Sequence, residues 1–150
     1  MNRETRLGFM IRTLSILIKR EVDNLEEETY GETITGTNCF ILLHLARNGD
    51  RDIFQRDLEE VFSVRRSTMS SILQRMEEKG LLTRRTVHSD ARLKKIELTE
   101  KGKRLHRQME DSIDRMEDKL IQGLSEEETS MLLTLLSKVK QNVEQDEHKI

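Results

Sequence analysis

Apolar residues set the first expectations. Leu7, Ile11, Leu14, Ile18, Val22 and Leu25 recur at spacings of four, three, four, four and three. That places them on one face of a long helix over about Asn2–Glu28, ended by Glu26-Glu27-Glu28 and Gly31. Thr37–Asn48 is apolar almost throughout, which predicts a buried central helix, with Gly49 placed to stop it in a left-handed cap. A short third helix is predicted over Gln55–Phe62, with Leu58, Val61 and Phe62 inward. A fourth follows over Arg65–Lys79, with Met69, Ile72, Leu73 and Met76 inward and Gly80 as its cap. The tight turn Phe62-Ser63-Val64 between them makes a helix-turn-helix candidate.

The pattern then changes period. Leu81–Val87 and Leu93–Thr99 read as two short strands around the polar tip His88–Arg92, a β-hairpin. A hairpin directly after a helix-turn-helix is the wing of a winged helix. A fifth helix starts at Thr99 or Glu100, carries Leu105, Met109, Ile113, Met116 and Leu120 on one face, and breaks at Gly123. Ser125-Glu126-Glu127-Glu128 is a capping box opening a sixth helix with Leu132, Leu135, Leu136, Val139 and Val143 inward.

The fold class is therefore mostly α with a small β-hairpin wing: a winged helix-turn-helix flanked by long N- and C-terminal helices. The expected organisation is a single domain over 1–150, with a winged lobe at about 35–102 and dimerisation helices at about 1–30 and 103–150. The small lobe cannot cover three long apolar stripes, so a C2 homodimer is favoured over a monomeric bundle.

Composition narrows the classes. The 150 residues include no proline, so nothing removes a backbone donor in mid-helix. Aromatic residues are 3%, too few for stacking platforms that bind single-stranded nucleic acid. No apolar run spans a membrane and the N-terminus is unlike a signal peptide. Cys39 alone allows no internal disulfide, so a cytoplasmic protein without membrane partners is expected.

The net charge of -2 hides an asymmetry. Between Ser63 and Arg104 lie twelve basic residues (Arg65, Arg66, Arg75, Lys79, Arg84, Arg85, Arg92, Lys94, Lys95, Lys101, Lys103, Arg104) against Glu77, Glu78, Asp90, Glu97 and Glu100. That segment is +7 and the remainder -9. Local charge decides whether a surface attracts phosphate.

Catalytic signatures are missing. There is no Gly-rich phosphate loop, no His-Glu-x-x-His, no nucleophile elbow and no pair of acids beside a His, so no enzyme and no cofactor are expected. His44, His88, His106 and His148 are scattered, so no metal site is expected either.

From Ile34 to Gly102 the chain resembles the MarR family of bacterial regulators. The residues that carry the resemblance are Leu42–Asn48, Asp57-Leu58-Glu59-Glu60, Arg66–Leu82, and above all Asp90-Ala91-Arg92 followed by Leu98-Thr99-Glu100-Lys101-Gly102. The family shows an Asp-x-Arg at the wing and a Leu-Thr-x-x-Gly leading into the next helix. Two departures stand out: Ser63 where the family often has Gly, and Arg65-Arg66 in place of a Ser-Pro helix opening.

The resemblance implies a transcriptional regulator, a repressor acting as a homodimer on double-stranded DNA at an inverted repeat. A helix-turn-helix presents the start of its second helix to base edges, here Arg65, Arg66, Ser67, Thr68, Ser70 and Ser71, with Arg75 reaching the backbone. At the wing, Arg92 is implied to enter the minor groove and Asp90 to steady the hairpin by pairing with an arginine; Arg85, Lys94 and Lys95 are candidates for phosphates.

The family also often takes small anionic or aromatic effectors between the dimer region and the lobe. Ile11, Leu14, Cys39, Phe40 and His44 are the candidate pocket, the alternative being ordinary core. Cys39 is expected to be a buried structural thiol rather than a redox sensor. The competing function is a winged-helix protein-interaction module without specific DNA binding.

Overall fold

The computed structural model describes residues 6–29, 36–87 and 90–147. Within them the order is α1 (Leu7–Thr29), α2 (Gly36–Arg47), α3 (Gln55–Phe62), α4 (Arg66–Glu78), β1 (Leu82–Val87), β2 (Asp90–Leu98), α5 (Glu100–Ile121) and α6 (Glu126–Glu147). This is the mostly helical winged architecture expected. The expected start of the first helix before Arg6, its stop at Gly31, the Leu25 side chain, the tip residues His88 and Ser89, and His148 lie outside the described residues.

Two compact units are present, Met1–Ile113 and Asp114–Ile150. In the first, the core is built from the faces that the periodicity picked out. Ile41, Leu42 and Leu45 of α2 meet Leu58 of α3, the Met69-Ile72-Leu73-Met76 face of α4, and Leu81, Leu82 and Ile96 at the hairpin, all buried. Val61 is the exception on α3: expected inward, it is 46% exposed, while Leu58 and, one turn on, the half-buried Phe62 occupy the core-facing line of that two-turn helix.

The helix ends explain the lobe's turns. Ser63 terminates α3 at φ 50, in the left-handed region where glycine is favoured, and its N–H reaches back to the Glu59 and Glu60 carbonyls. Gly80 is left-handed at φ 73, as expected after α4. Gly49 has no positive φ; α2 instead closes through Asn48, whose side-chain amide donates to the His44 carbonyl at 2.8 Å.

The Leu-Thr-x-x-Gly segment has a steric reason. Thr99 Oγ1 donates to the Gly80 carbonyl at 2.5 Å and accepts from the Gly102 N–H at 3.1 Å, capping α5. A Cβ on Gly102 would sit 2.1 Å from the Leu81 carbonyl oxygen, so only glycine lets α5 start this close to the hairpin.

β1 and β2 pair antiparallel from Leu82↔Leu98 to Thr86↔Lys94, with a register shift before Val87↔Asp90. The expected polar tip is thus shorter than the sequence implied: Asp90, Ala91 and Arg92 belong to β2, since backbone pairing continues through the bulge without needing apolar side chains.

In the second unit, the capping box forms as expected. Ser125 N–H donates to Glu128 Oε2 at 2.8 Å and Glu128 N–H to Ser125 Oγ at 3.1 Å. Among the described residues most of the α6 face expected inward is left exposed: Leu132, Leu135, Leu136 and Val143 are exposed, as is Leu133 at 62%, while Val139 is half-buried. Periodicity identifies an apolar face, not what covers it. α1 likewise exposes Leu7, Phe9, Met10, Leu14, Ile16 and Leu17.

Candidate nucleic-acid interface

The inner face of α4 is locked into the core, so its outer face is presented to solvent. Arg65, Arg66, Ser67, Thr68, Ser71 and Arg75 are exposed, and Ser70 is half-buried. Arg65 occupies the N-cap position without a side-chain cap bond, so the helix opens with two arginines beside free-facing amides. Ser71 Oγ donates to the Ser67 carbonyl at 3.1 Å, leaving its oxygen facing outward as an acceptor.

A crevice of about 290 Å³ joins this helix to the wing. Arg66 and Ser70 of α4 line it with Arg92, Leu93 and Lys94 of β2 and Gln55, Arg56 and Glu59 of α3. Four cations (Arg56, Arg66, Arg92, Lys94) thus face one carboxylate, Glu59, which accepts from Gln55 at 3.1 Å. Arg56 was missed in the sequence reading; its place in the first turn of the first helix of the motif was the available signal.

Two charged contacts tie the strands of the wing to neighbouring segments of the lobe. On β1, Arg84 donates from its backbone N–H (3.2 Å) and its Nε (2.9 Å) to the two Glu77 oxygens, joining the last turn of α4 to the hairpin. Burial would push the Glu77 carboxyl up, but the Arg84 guanidinium and amide, with Lys94 nearby, outweigh it and hold it below the ordinary value. On β2, Lys95 Nζ lies 2.7 Å from Asp52 and 3.0 Å from Glu97. The hydrogen bonds it donates to Asp52 and then Glu97 raise the Lys95 pKa above its ordinary value.

The other predicted wing residues fall differently. Arg85 is exposed and reaches Glu97 only at 3.8 Å. Asp90 is exposed, and its Oδ1 accepts the Arg92 backbone N–H at 2.9 Å, so its visible steadying bond is to the main chain rather than to a guanidinium. Arg92 and Lys94 are exposed.

The five residues of the candidate effector pocket differ in exposure. Cys39 is buried at 3% exposure, Leu14 is 46% exposed, and Ile11 and Phe40 are half-buried. His44 packs edge-on against Phe62, ring centroids 5.9 Å apart. Burial lowers its pKa, Arg51 lowers it further, and Asp57 opposes both.

A larger cavity of about 760 Å³ lies elsewhere, beside the opposite face of the wing. Its apolar side comes from Leu45, Ala46, Ile53 and Leu98, and its charged lining mixes Arg51, Arg85, Lys95, Lys103 and Arg107 with Asp50, Asp52, Glu97 and Glu110. Among the described residues no group of three or more His, Cys, Asp or Glu is arranged to hold a metal, and no helix is long and apolar enough to cross a membrane.

Known proteins share this arrangement. The MarR family profile matches residues 33–93. The transcription regulator MarR from Oenococcus oeni PSU-1 is 30% identical, over 90% of this chain and 96% of that one, with a TM-score of 0.71. The S. aureus MepR–DNA complex is 26% identical over 95% of this chain and 99% of that one, at a TM-score of 0.83. The PcaV transcriptional regulator from Streptomyces coelicolor, in complex with its natural ligand, shares the fold at 23% identity and a TM-score of 0.79, covering 94% and 96%. With its winged lobe, its flanking helices and this likeness along nearly the whole length, the chain belongs to the MarR family of transcription regulators.

Proposed function

We propose that this chain is a sequence-specific double-stranded-DNA-binding regulator that works as a homodimer on an inverted repeat and represses by occluding a promoter. The observation that carries the reading is the shared crevice: Arg66 and Ser70 from the recognition helix beside Arg92 and Lys94 from the wing. One element suits base edges in the major groove, while the other extends toward the flanking minor groove and backbone. The likeness to the S. aureus MepR–DNA complex supports the same use of the surface. A protein-interaction module would favour an apolar patch there, whereas the outer face of α4 carries Arg65, Arg66, Ser67, Thr68, Ser71 and Arg75.

The exposed leucines of α6 and the exposed apolar residues of α1 support a second copy as partner. A dimer brings two recognition helices to half-sites about one helical turn apart. If ~8 phosphates are neutralised, the log–log salt slope is near -7.

A small-molecule effector belongs to the same proposal. The 760 Å³ cavity beside the wing is of ligand size, with an apolar wall and a charged lining of mixed sign that includes Arg107, whereas Cys39 and His44 are taken up in packing. A ligand there is sought by screening small organic acids for release of bound duplex. Release that survives Arg107→Ala would place the ligand elsewhere.

The DNA reading is tested by fluorescence anisotropy with the chain's own upstream region against a scrambled duplex at two salt concentrations. Selective, salt-sensitive binding by a dimer is expected. Binding to neither duplex at low salt would favour the protein-interaction module.

A further inference from the structure

Among the described residues Lys95 is the wing cation held by two carboxylates, and its surroundings do not suit a phosphate. Its ammonium already donates toward Asp52 at 2.7 Å and Glu97 at 3.0 Å, and its side chain is 32% exposed. Taken together, one cation and two carboxylates carry a negative charge, which Arg85 at 3.8 Å from Glu97 only balances. Neighbouring residues of a strand face opposite ways. Lys94 lines the cationic crevice beside α4, while Lys95 lines the larger cavity on the other side of the wing.

The backbone joins the same two segments. Ile96 N–H donates to the Ile53 carbonyl at 2.8 Å, and Phe54 bridges antiparallel to Lys95. The loop carrying Asp52 runs directly into α3, and the strand carrying Lys95 runs back directly to Arg92. The ion-paired group therefore links the first helix of the motif to the reading end of the wing.

We propose that Asp52, Lys95 and Glu97 form a positioning node that sets the wing against the loop before α3, so that Lys95 acts on DNA recognition through Arg92 rather than by touching phosphate. This rests on the DNA-binding reading above and assigns to Asp52 and Glu97 a part in it. The backbone bond fixes the distance between loop and strand. The charged group fixes the tilt, since Asp52 ties the ammonium to the loop while Glu97 holds it within β2.

The test uses the full chain and the duplex it selects, comparing Asp52→Asn, Lys95→Met and the double variant with Arg92→Ala, each first checked for an unchanged thermal unfolding profile. Simple charge attraction says Asp52→Asn tightens binding, because it removes a negative charge from the lobe. The node says it weakens binding about three- to fivefold, the scale of a networked exposed ion pair. Lys95→Met then weakens binding by the same factor, and the double variant is no weaker than either single one.

The salt slope stays unchanged, and discrimination is lost only at the flanking base pairs where Arg92→Ala loses it. If Asp52→Asn unfolds the lobe, Glu97→Gln replaces it with the same expectation. The proposal is overturned if Asp52→Asn tightens binding while Lys95→Met lowers the salt slope by about one, the mark of a lost phosphate contact; DNA binding itself would still stand. If the chain binds no duplex, the groove reading fails and the node falls with it.

Discussion

The winged lobe and α6 are both rich in leucine, yet they use it differently. In the lobe, Leu42, Leu58, Leu73, Leu81 and Leu82 are fully buried among themselves and their methionine and isoleucine neighbours. On α6, Leu132, Leu133, Leu135 and Leu136 stay between 41% and 62% exposed. The first set is satisfied by its own chain; the second is a face left exposed among the described residues. Stability within the lobe and the proposed association through the helices are therefore separable, and substitutions can tell them apart.

The strongest way to break the lobe is at its tightest backbone approach. Gly102→Ala puts a methyl 2.1 Å from the Leu81 oxygen, which is backbone and cannot swing away. Loss of about 4 kcal/mol, the exceptional end of single substitutions, is expected in chemical denaturation. Leu42→Ala comes next: Leu42 is fully buried, and the cavity left behind costs about 3 kcal/mol. By contrast, Leu133→Ala on α6, where the side chain is 62% exposed, changes unfolding of the dilute chain by under about 0.5 kcal/mol. It shows instead as weaker self-association in sedimentation. An equal unfolding cost at both leucines would erase the distinction.

The contrast also separates what a sequence discloses from what it does not. The core face of α4 and the Ser125–Glu128 box were legible because each is local: one is a 3.6-residue period, the other a three-residue spacing. The fate of α6's leucines was not, since a period names a face without naming its neighbour. Lys95 shows the same limit at the site. Its alternation with Lys94 was visible, but its partner Asp52 comes from a loop before α3, and only the fold brings them together. Gly49 was misread as a left-handed stop because nothing local signals that the Asn48 amide would close α2 first.

A smaller effect sharpens how the lobe holds its wing. Glu77 has a depressed pKa in the folded state, so the stability it contributes is present above the unfolded carboxyl value and is lost as pH falls through the folded one. With the Glu77 side chain 37% exposed, screening keeps this to less than about 1 kcal/mol. Glu77→Gln should flatten that part of the acid limb in unfolding curves measured across pH. An unchanged acid limb would mean that the Arg84 contact adds nothing in solution.

The central claim is that recognition helix and wing read one DNA site together. It is tested most directly by measuring duplex affinity for Arg66→Ala and Arg92→Ala across single-base variants of the selected site. The account predicts that Arg66→Ala loses ~1–3 kcal/mol of discrimination at inner base pairs and that Arg92→Ala loses it at the flanks. Unchanged affinity and base preference in both variants would contradict it.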